Sequence, residues 1–171
     1  MSTRTANTKT TSTIFSTRND LPREAREKLV SLLNQQLADV FDLMSQTKFA
    51  HWNVKGPTFI ALHKLFDELA EKLEEHVDEI AERATALGGL AMGTARQAAA
   101  MSHVAEFPAN THKGQDVVAA LADRFAAVGK STREAMHTAE ELDDQDTLDL
   151  FVQISRDIDQ SLYFLEAHLQ G

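Results

Sequence analysis

The chain contains no cysteine among its 171 residues. This absence excludes disulfides, zinc–thiolate sites, Cys-ligated iron–sulfur clusters and thiol catalysis. Glycine and proline are also scarce, with seven and three copies, and there is one tryptophan and one tyrosine. Because glycine and proline punctuate turns, so few of them favour long helices over many short strands. The sequence therefore predicts an all-α protein.

Long apolar runs are absent as well. No stretch approaches the roughly 18 consecutive apolar residues that a transmembrane helix needs. The first 20 residues contain a single apolar pair, Ile14-Phe15, and so lack the apolar segment of a secretory signal. We therefore expect a soluble cytoplasmic protein that does not enter a membrane.

Positive charge is in short supply, since 17 Lys and Arg stand against 26 Asp and Glu, a net charge of −9. An acidic surface repels nucleic acids unless basic residues are gathered in one place. They are gathered at the N-terminus, where Arg4, Lys9 and Arg18 occur in a Thr/Ser-rich segment without acids. This composition predicts a mobile tail over residues 1–19 and one folded domain over residues 20–171.

Within the folded part, apolar residues recur at three- and four-residue spacing, which is typical of helices. We expect the first helix to begin beside a cap at Asn19 or Asp20, with Pro22 in its first turn. The predicted long helices cover about 22–52, 58–87, 115–139 and 146–169, with a short helix at 94–101. About 26 residues separate the second long helix from the third, enough for those two helices to run parallel. A four-helix bundle with one long crossover, here carrying the short helix, is the ferritin-like arrangement.

The second long helix places four potential metal ligands on one stripe. His63 and Asp67 are four residues apart, as are Asp78 and Glu82, and Asp67 and Asp78 are separated by 11 residues. On a helix these spacings bring all four side chains to nearly the same face. Carboxylates and imidazoles are suitable ligands for iron or manganese. A solvated helix face remains the alternative, since acids at this spacing are common in a Glu-rich helix.

The distance between the two pairs is itself informative. Eleven residues rise about 16.5 Å, so Asp67 and Asp78 of one straight helix cannot hold the same ion. Two copies of the helix, packed antiparallel about a two-fold axis, place His63 and Asp67 of one chain opposite Asp78 and Glu82 of the other. The spacing thus predicts a site shared between subunits, and the Gly56-Pro57 turn can fold His51 beside His63.

Two other histidines are weaker candidates for metal ligands. Glu134-x-x-His137 is the only Glu-x-x-His match, whereas an intrasubunit di-iron site needs two. We interpret it as an exposed coincidence. His76 is rotated away from the ligand stripe, and we expect it at the surface.

The stretch from Lys48 to Gly89, KFAHWNVKGPTFIALHKLFDELAEKLEEHVDEIAERATALGG, resembles the Dps family, the DNA-binding proteins from starved cells. The similarity extends over about residues 20–169, and the combination of H-W-N-x-x-G-P, H-x-x-x-D and D-x-x-x-E is specific. The resemblance implies a hollow twelve-subunit shell that oxidises Fe²⁺, usually with hydrogen peroxide, and stores the ferric product. It places the iron ligands on His51, His63 and Asp67 of one subunit and on Asp78 and Glu82 of its two-fold partner.

The resemblance also suggests roles outside the ligand set. Trp52 either intercepts stray oxidising equivalents or is a packed interface aromatic. Acids of the 140–149 run, among them Asp143, Asp146 and Asp149, either line three-fold pores through which iron enters or form a solvated helix end. Arg4, Lys9 and Arg18 either bind DNA, multiplied over twelve tails, or belong to an inert tail.

Three functions therefore follow as alternatives. The first is a ferroxidase and iron-storage cage that uses peroxide or dioxygen and protects DNA. The second is a nucleoid-compacting protein with secondary iron chemistry, and the third is an iron-detoxifying cage that never touches DNA.

Overall fold

The structure, a computed structural model, describes residues 13–170. Five helices follow one another along the chain: α1 (Arg23–Asn53), α2 (Phe59–Ala86), α3 (Ala95–Met101), α4 (Gly114–Glu141) and α5 (Gln145–Ala167). β-Structure in this part of the chain is limited to one isolated bridge between Lys55 and Lys113. The all-α prediction is confirmed, and each predicted helix is present within a few residues of its expected bounds.

The four long helices form a bundle of two hairpins. A turn of five residues, 54–58, joins α1 to α2, and a turn of three residues, 142–144, joins α4 to α5. The hairpins pack with α1 antiparallel to α4, since Gln36 lies beside Thr132 and Gln46 lies beside Arg124. Because α1 is antiparallel to both α2 and α4, α2 and α4 run parallel, as the long crossover between them predicts.

Apolar side chains from the long helices meet in one continuous core. Its largest fully buried side chains include Phe66 on α2, Phe125 on α4 and Phe151 on α5. Burial of such a ring contributes about 1.5–3 kcal/mol. The core therefore holds α2 against the bundle while its polar edge faces outward.

The crossover is tied to α1 by a buried asparagine. The Asn34 side chain donates to the Leu90 carbonyl at 2.9 Å and accepts from the Met92 amide at 2.7 Å. Thr94 and Gln97 then form a reciprocal capping box that starts α3. These bonds hold the long connection against the bundle.

The start of α1 differs from the prediction. Pro22 occupies the N-cap position, and neither Asn19 nor Asp20 caps the helix with its side chain. Asn19 instead accepts a hydrogen bond from the Leu21 amide at 3.0 Å, which makes a local turn before the helix. A short polar side chain can accept a hydrogen bond from the backbone amide two residues later. Asn19 makes this bond and does not cap α1.

The end of α2 is as predicted. Gly88 has φ of +87°, the left-handed conformation in which glycine commonly ends a helix. The Phe15 amide donates to the Gly88 carbonyl at 2.7 Å, so the segment before α1 contacts this helix end. In residues 13–170, no helix has both the length and the apolarity that crossing a membrane requires.

Candidate metal centre

The turn between α1 and α2 brings His51 and His63 together. The two imidazole rings stack with centroids 3.7 Å apart and an angle of 21° between their planes. The backbone of the turn supports this approach, because Gly56 adopts φ of +123°, a conformation that side-chain-bearing residues rarely adopt. Val54 is fully buried and anchors the end of α1 in the core. The predicted proximity of His51 to His63 is therefore present within one chain.

Each of the two imidazoles is oriented by the backbone of the other. His51 Nδ1 lies 2.7 Å from the His63 carbonyl oxygen, and His63 Nδ1 lies 2.9 Å from the His51 carbonyl oxygen. A carbonyl can only accept, so Nδ1 is the donor in both rings. In the neutral imidazole this tautomer leaves the lone pair on Nε2. A metal-binding histidine is typically held in this way, with one nitrogen bonded to a carbonyl and the other free for the metal.

Asp67 lies one helical turn after His63 and adds a carboxylate to the pair. Its Oδ1 is 3.8 Å from His51 Nδ1 and accepts a hydrogen bond from the Lys48 ammonium group. This hydrogen bond, with the positive charge of Lys48 and the nearby histidines, holds the pKa of Asp67 below its ordinary value against the opposing effect of desolvation. The carboxylate is therefore ionised near neutral pH, as a metal ligand must be.

Asp78 and Glu82 occupy the far half of the same stripe. Both side chains are exposed. Asp78 lines an open groove of about 700 Å³ together with residues of α1, α2 and the crossover, among them Leu37 and Gly93. Within residues 13–170, no three His, Asp or Glu side chains are placed to hold one ion. A single chain thus presents two separate groups of candidate ligands: His63 and Asp67, with His51 beside them, on the first half of α2, and Asp78 and Glu82 on the second half.

Trp52 follows His51 at the end of α1. Its side chain is 65% exposed, so residues 13–170 leave most of the ring uncovered. The Glu134 and His137 side chains on α4 are also exposed. Their exposure agrees with the surface position that we expected for this pair.

The prediction for His76 is wrong. This histidine is only 2% exposed and lies between α2 and α5. Its Nδ1 bonds Glu79 Oε2 at 3.0 Å, and its Nε2 lies 3.1 Å from Asp157 Oδ2 in a geometry that forms no hydrogen bond. Periodicity on α2 correctly turns His76 away from the ligand stripe, but that direction leads to α5 rather than to solvent.

The acidic turn between α4 and α5 contains one buried carboxylate among exposed ones. Asp143, Asp146 and Asp149 are exposed, as a role in a pore requires. Asp144 is 3% exposed, accepts from the Thr147 amide as the N-cap of α5, and pairs with Arg83 at 2.6 Å. The signal that could have identified Asp144 is its position before an apolar helical run, which is typical of a helix cap.

The proposed DNA-binding residues fall mostly outside the described part of the chain. Arg4 and Lys9 lie outside residues 13–170, and Arg18 is exposed on the segment before α1. The boundary of the tail at residue 19 stays a prediction.

Comparisons with known proteins agree with this architecture. The family described as the ferritin-like domain matches residues 30–171. The DNA protection during starvation protein of Agrobacterium fabrum is 43% identical over 154 residues, which cover 90% of this chain and 95% of that protein.

Solved structures show the same relationship. DpsA14 from Streptomyces coelicolor has a TM-score of 0.89 at 32% identity, with 94% of this chain and 95% of that chain covered. The Dps protein of Vibrio cholerae O1, described as a ferritin-like diiron-carboxylate protein, has a TM-score of 0.83 at 27% identity, with 88% and 94% covered. Fold, extent and sequence identity agree: the chain belongs to the ferritin-like superfamily and, within it, to the Dps family.

Proposed function

We propose that this protein is a ferroxidase and iron store of the Dps type. It oxidises Fe²⁺ at sites shared between two subunits and keeps the ferric product inside a cage of twelve identical subunits. The observation that carries this proposal is the oriented pair of His51 and His63 beside ionised Asp67, on a chain that holds its complementary carboxylates elsewhere on α2. Each half is an incomplete ligand set, and a two-fold partner completes it.

The geometry of α2 supports the shared site. Asp67 and Asp78 are about 16.5 Å apart along the helix, so they serve different ions. In an isologous contact, residue i of one chain meets residue j of the other and the reverse also holds. A two-fold axis near the middle of α2 therefore builds two equivalent sites, each with His51, His63 and Asp67 from one subunit and Asp78 and Glu82 from its partner.

The chemistry requires two ferrous ions for each peroxide. Each Fe²⁺ gives one electron, and two Fe²⁺, one H₂O₂ and two protons yield two Fe³⁺ and two H₂O. Imidazoles and carboxylates suit the metal in both oxidation states. Because both electrons reach the same peroxide, no hydroxyl radical is released, and this protects DNA. Dioxygen is the alternative oxidant, and exposed Trp52 beside His51 is placed to intercept a stray oxidising equivalent.

Iron supply and DNA contact complete the proposal. Three copies of exposed Asp143, Asp146 and Asp149 around a pore concentrate negative potential on Fe²⁺. The names of relatives such as the Agrobacterium protein favour a role in DNA protection. Direct DNA contact through Arg4, Lys9 and Arg18 is the second candidate function, and it places the cytoplasmic protein at the nucleoid.

The test is the rate at which ferric product forms after Fe²⁺ and hydrogen peroxide are mixed. We expect His51→Ala and Asp78→Ala each to slow oxidation strongly, because each removes a ligand from every site. His137→Ala is the matched control, since it removes an exposed histidine outside the site. Equal rates in all four proteins would refute the site assignment.

A further inference from the structure

One ring nitrogen of His76 makes no hydrogen bond with any residue from 13 to 170. The side chain lies between α2 and α5 and is only 2% exposed. Its Nδ1 bonds Glu79 Oε2 at 3.0 Å, whereas its Nε2 is closed off from solvent and has no hydrogen-bond partner among these residues. Buried polar atoms are almost always hydrogen-bonded, so an unpaired nitrogen of this kind requires an explanation.

The Nε2 atom lies beside a carboxylate of the neighbouring helix. Asp157 Oδ2 is 3.1 Å away, in a geometry that forms no hydrogen bond. An ionised carboxylate can only accept, so Nδ1 donates its proton to Glu79, and in the neutral ring the lone pair remains on Nε2. Two atoms that both carry lone pairs therefore lie close together. A cation bound by both of them would replace this repulsion with attraction.

The separation of the two atoms suits a single metal ion. Zinc binds imidazole nitrogen and carboxylate oxygen at about 2.0–2.2 Å, so two such ligands at an angle of about 90–110° lie about 3.0–3.4 Å apart. The observed 3.1 Å falls within this range. The second ligand then lies well off the axis of the nitrogen lone pair, which agrees with the missing hydrogen bond. Glu79 occupies the place of the carboxylate that commonly orients a metal-binding histidine through its other nitrogen.

Lys72 leaves the second oxygen of Asp157 available. Its ammonium group binds Oδ1 at 2.8 Å and also donates to Gln160 at 3.3 Å, so Oδ2 is the oxygen that faces His76. The Lys72 and Asp157 side chains are 35% and 26% exposed, so this cluster reaches solvent on its outer side. Water can therefore supply the ligands that two protein side chains leave unfilled.

We propose that His76 Nε2 and Asp157 Oδ2 form a second cation site, which takes a divalent transition-metal ion such as Zn²⁺ and joins α2 to α5. Imidazole and carboxylate are common ligands of this ion. The site lies within one chain and uses none of the residues assigned to iron oxidation, so it stands independently of the proposed function. Because the two ligands come from different helices of the folded chain, the bound ion stabilises the folded state.

The direct test is a crystal of the wild-type protein that is equilibrated with Zn²⁺ and measured at the zinc absorption edge. We expect an anomalous difference peak within about 2.3 Å of both His76 Nε2 and Asp157 Oδ2. Zinc at the proposed shared sites gives separate peaks beside His51, so the two kinds of site are distinguished. The absence of a peak between His76 and Asp157 overturns the inference, whether or not zinc binds at other positions.

A second measurement counts bound ions in solution by equilibrium dialysis against Zn²⁺. Asp157→Asn should bind one ion fewer per chain than the wild type, because the amide keeps the shape of the side chain but removes its charge. Asp159→Asn, at an exposed position on the same helix, is the matched control and should bind as many ions as the wild type. Equal counts for Asp157→Asn and the wild type overturn the inference. If the proposed function fails instead, His51→Ala leaves the count unchanged while Asp157→Asn still lowers it.

Discussion

His51 and His63 orient each other: each ring donates its Nδ1 proton to the other residue's carbonyl oxygen, at 2.7 and 2.9 Å. The turn that joins α1 to α2 therefore also fixes the orientation of the two histidines. Both Nδ1 donors bond backbone oxygens. The path of the chain, rather than neighbouring side chains, therefore fixes which ring nitrogen keeps its lone pair. Under the proposed function, we expect metal binding to leave both histidines in their present orientation.

The shared site predicts complementation between two inactive variants. In a dimer of His51→Ala with Asp78→Ala, one site receives both defects and the other receives none. Random co-assembly should therefore restore about a quarter of the wild-type oxidation rate, since half of the dimers are mixed and each has one intact site. The measurement is ferric product formation by co-expressed, purified assemblies.

The matched control for complementation mixes His51→Ala with His63→Ala. Both defects then lie in the same half of the site, so every site in every dimer is damaged. We expect no recovery in this mixture. Recovery in both mixtures, or in neither, would contradict a site built from opposite halves of two subunits.

The lowered pKa of Asp144 predicts how the stability of the protein depends on pH. Burial raises its pKa, but hydrogen bonds from Arg83 and Thr147 lower it more, so the pKa lies below the ordinary value of 3.8. A carboxyl whose pKa is lowered in the folded state stabilises the protein above its unfolded pKa, and this contribution is lost as pH falls below about 3.8 through the folded value.

We therefore expect Asp144→Asn to lower the free energy of unfolding by about 1–3 kcal/mol at pH 7, since the buried contact with Arg83 loses its charge. Asparagine remains a good N-cap, so the loss reports on the charge rather than on the cap. In urea unfolding, the difference from the wild type should shrink as the pH is lowered below 4. Asp123→Asn, at an exposed position on α4, should change stability by less than about 0.5 kcal/mol.

His76 is expected to stabilise the contact between α2 and α5. Its removal in His76→Ala leaves a small cavity and deprives the carboxylate of Glu79 of a hydrogen-bond partner. We expect a loss of about 1–3 kcal/mol in urea unfolding. His137→Ala, which removes an exposed histidine, should cost less than about 0.5 kcal/mol. Similar losses in both variants would show that the buried position of His76 has no energetic consequence.

DNA binding through the N-terminal segment should depend strongly on salt. Replacement of Arg4, Lys9 and Arg18 by glutamine removes the positive charges and keeps the length of the segment. We expect the wild type to retard DNA in a gel at low salt and to lose that binding as salt rises, because each phosphate contact releases counterions. The triple variant should not retard DNA at low salt, while its Fe²⁺ oxidation stays at the wild-type rate. Retardation by the triple variant would assign DNA contact to another surface.

Much of the fold could be predicted because its signals are local in the chain. Helix periodicity, the Gly88 stop and the length of the crossover gave the bundle, and the spacing on α2 gave the ligand stripe. The side-chain cap of α1 was wrongly predicted, since Asn19 accepts from the nearby Leu21 amide and does not cap the helix. The burial of His76 was wrongly predicted. Periodicity shows which face of α2 a side chain lies on, but not whether that face meets another helix or solvent.

By itself, the sequence determined the five helices, the membership in the Dps family and the stripe of His63, Asp67, Asp78 and Glu82. These depend on residue spacing along one helix and on a contiguous motif, so they need no knowledge of other helices. Only the tertiary structure decided that His51 and His63 hydrogen-bond through Nδ1, that Lys48 pairs with Asp67, and that His76 and Asp144 are buried. Each of these results from the approach of side chains or carbonyls on different helices, and one helix's periodicity contains no information about the distance to the next.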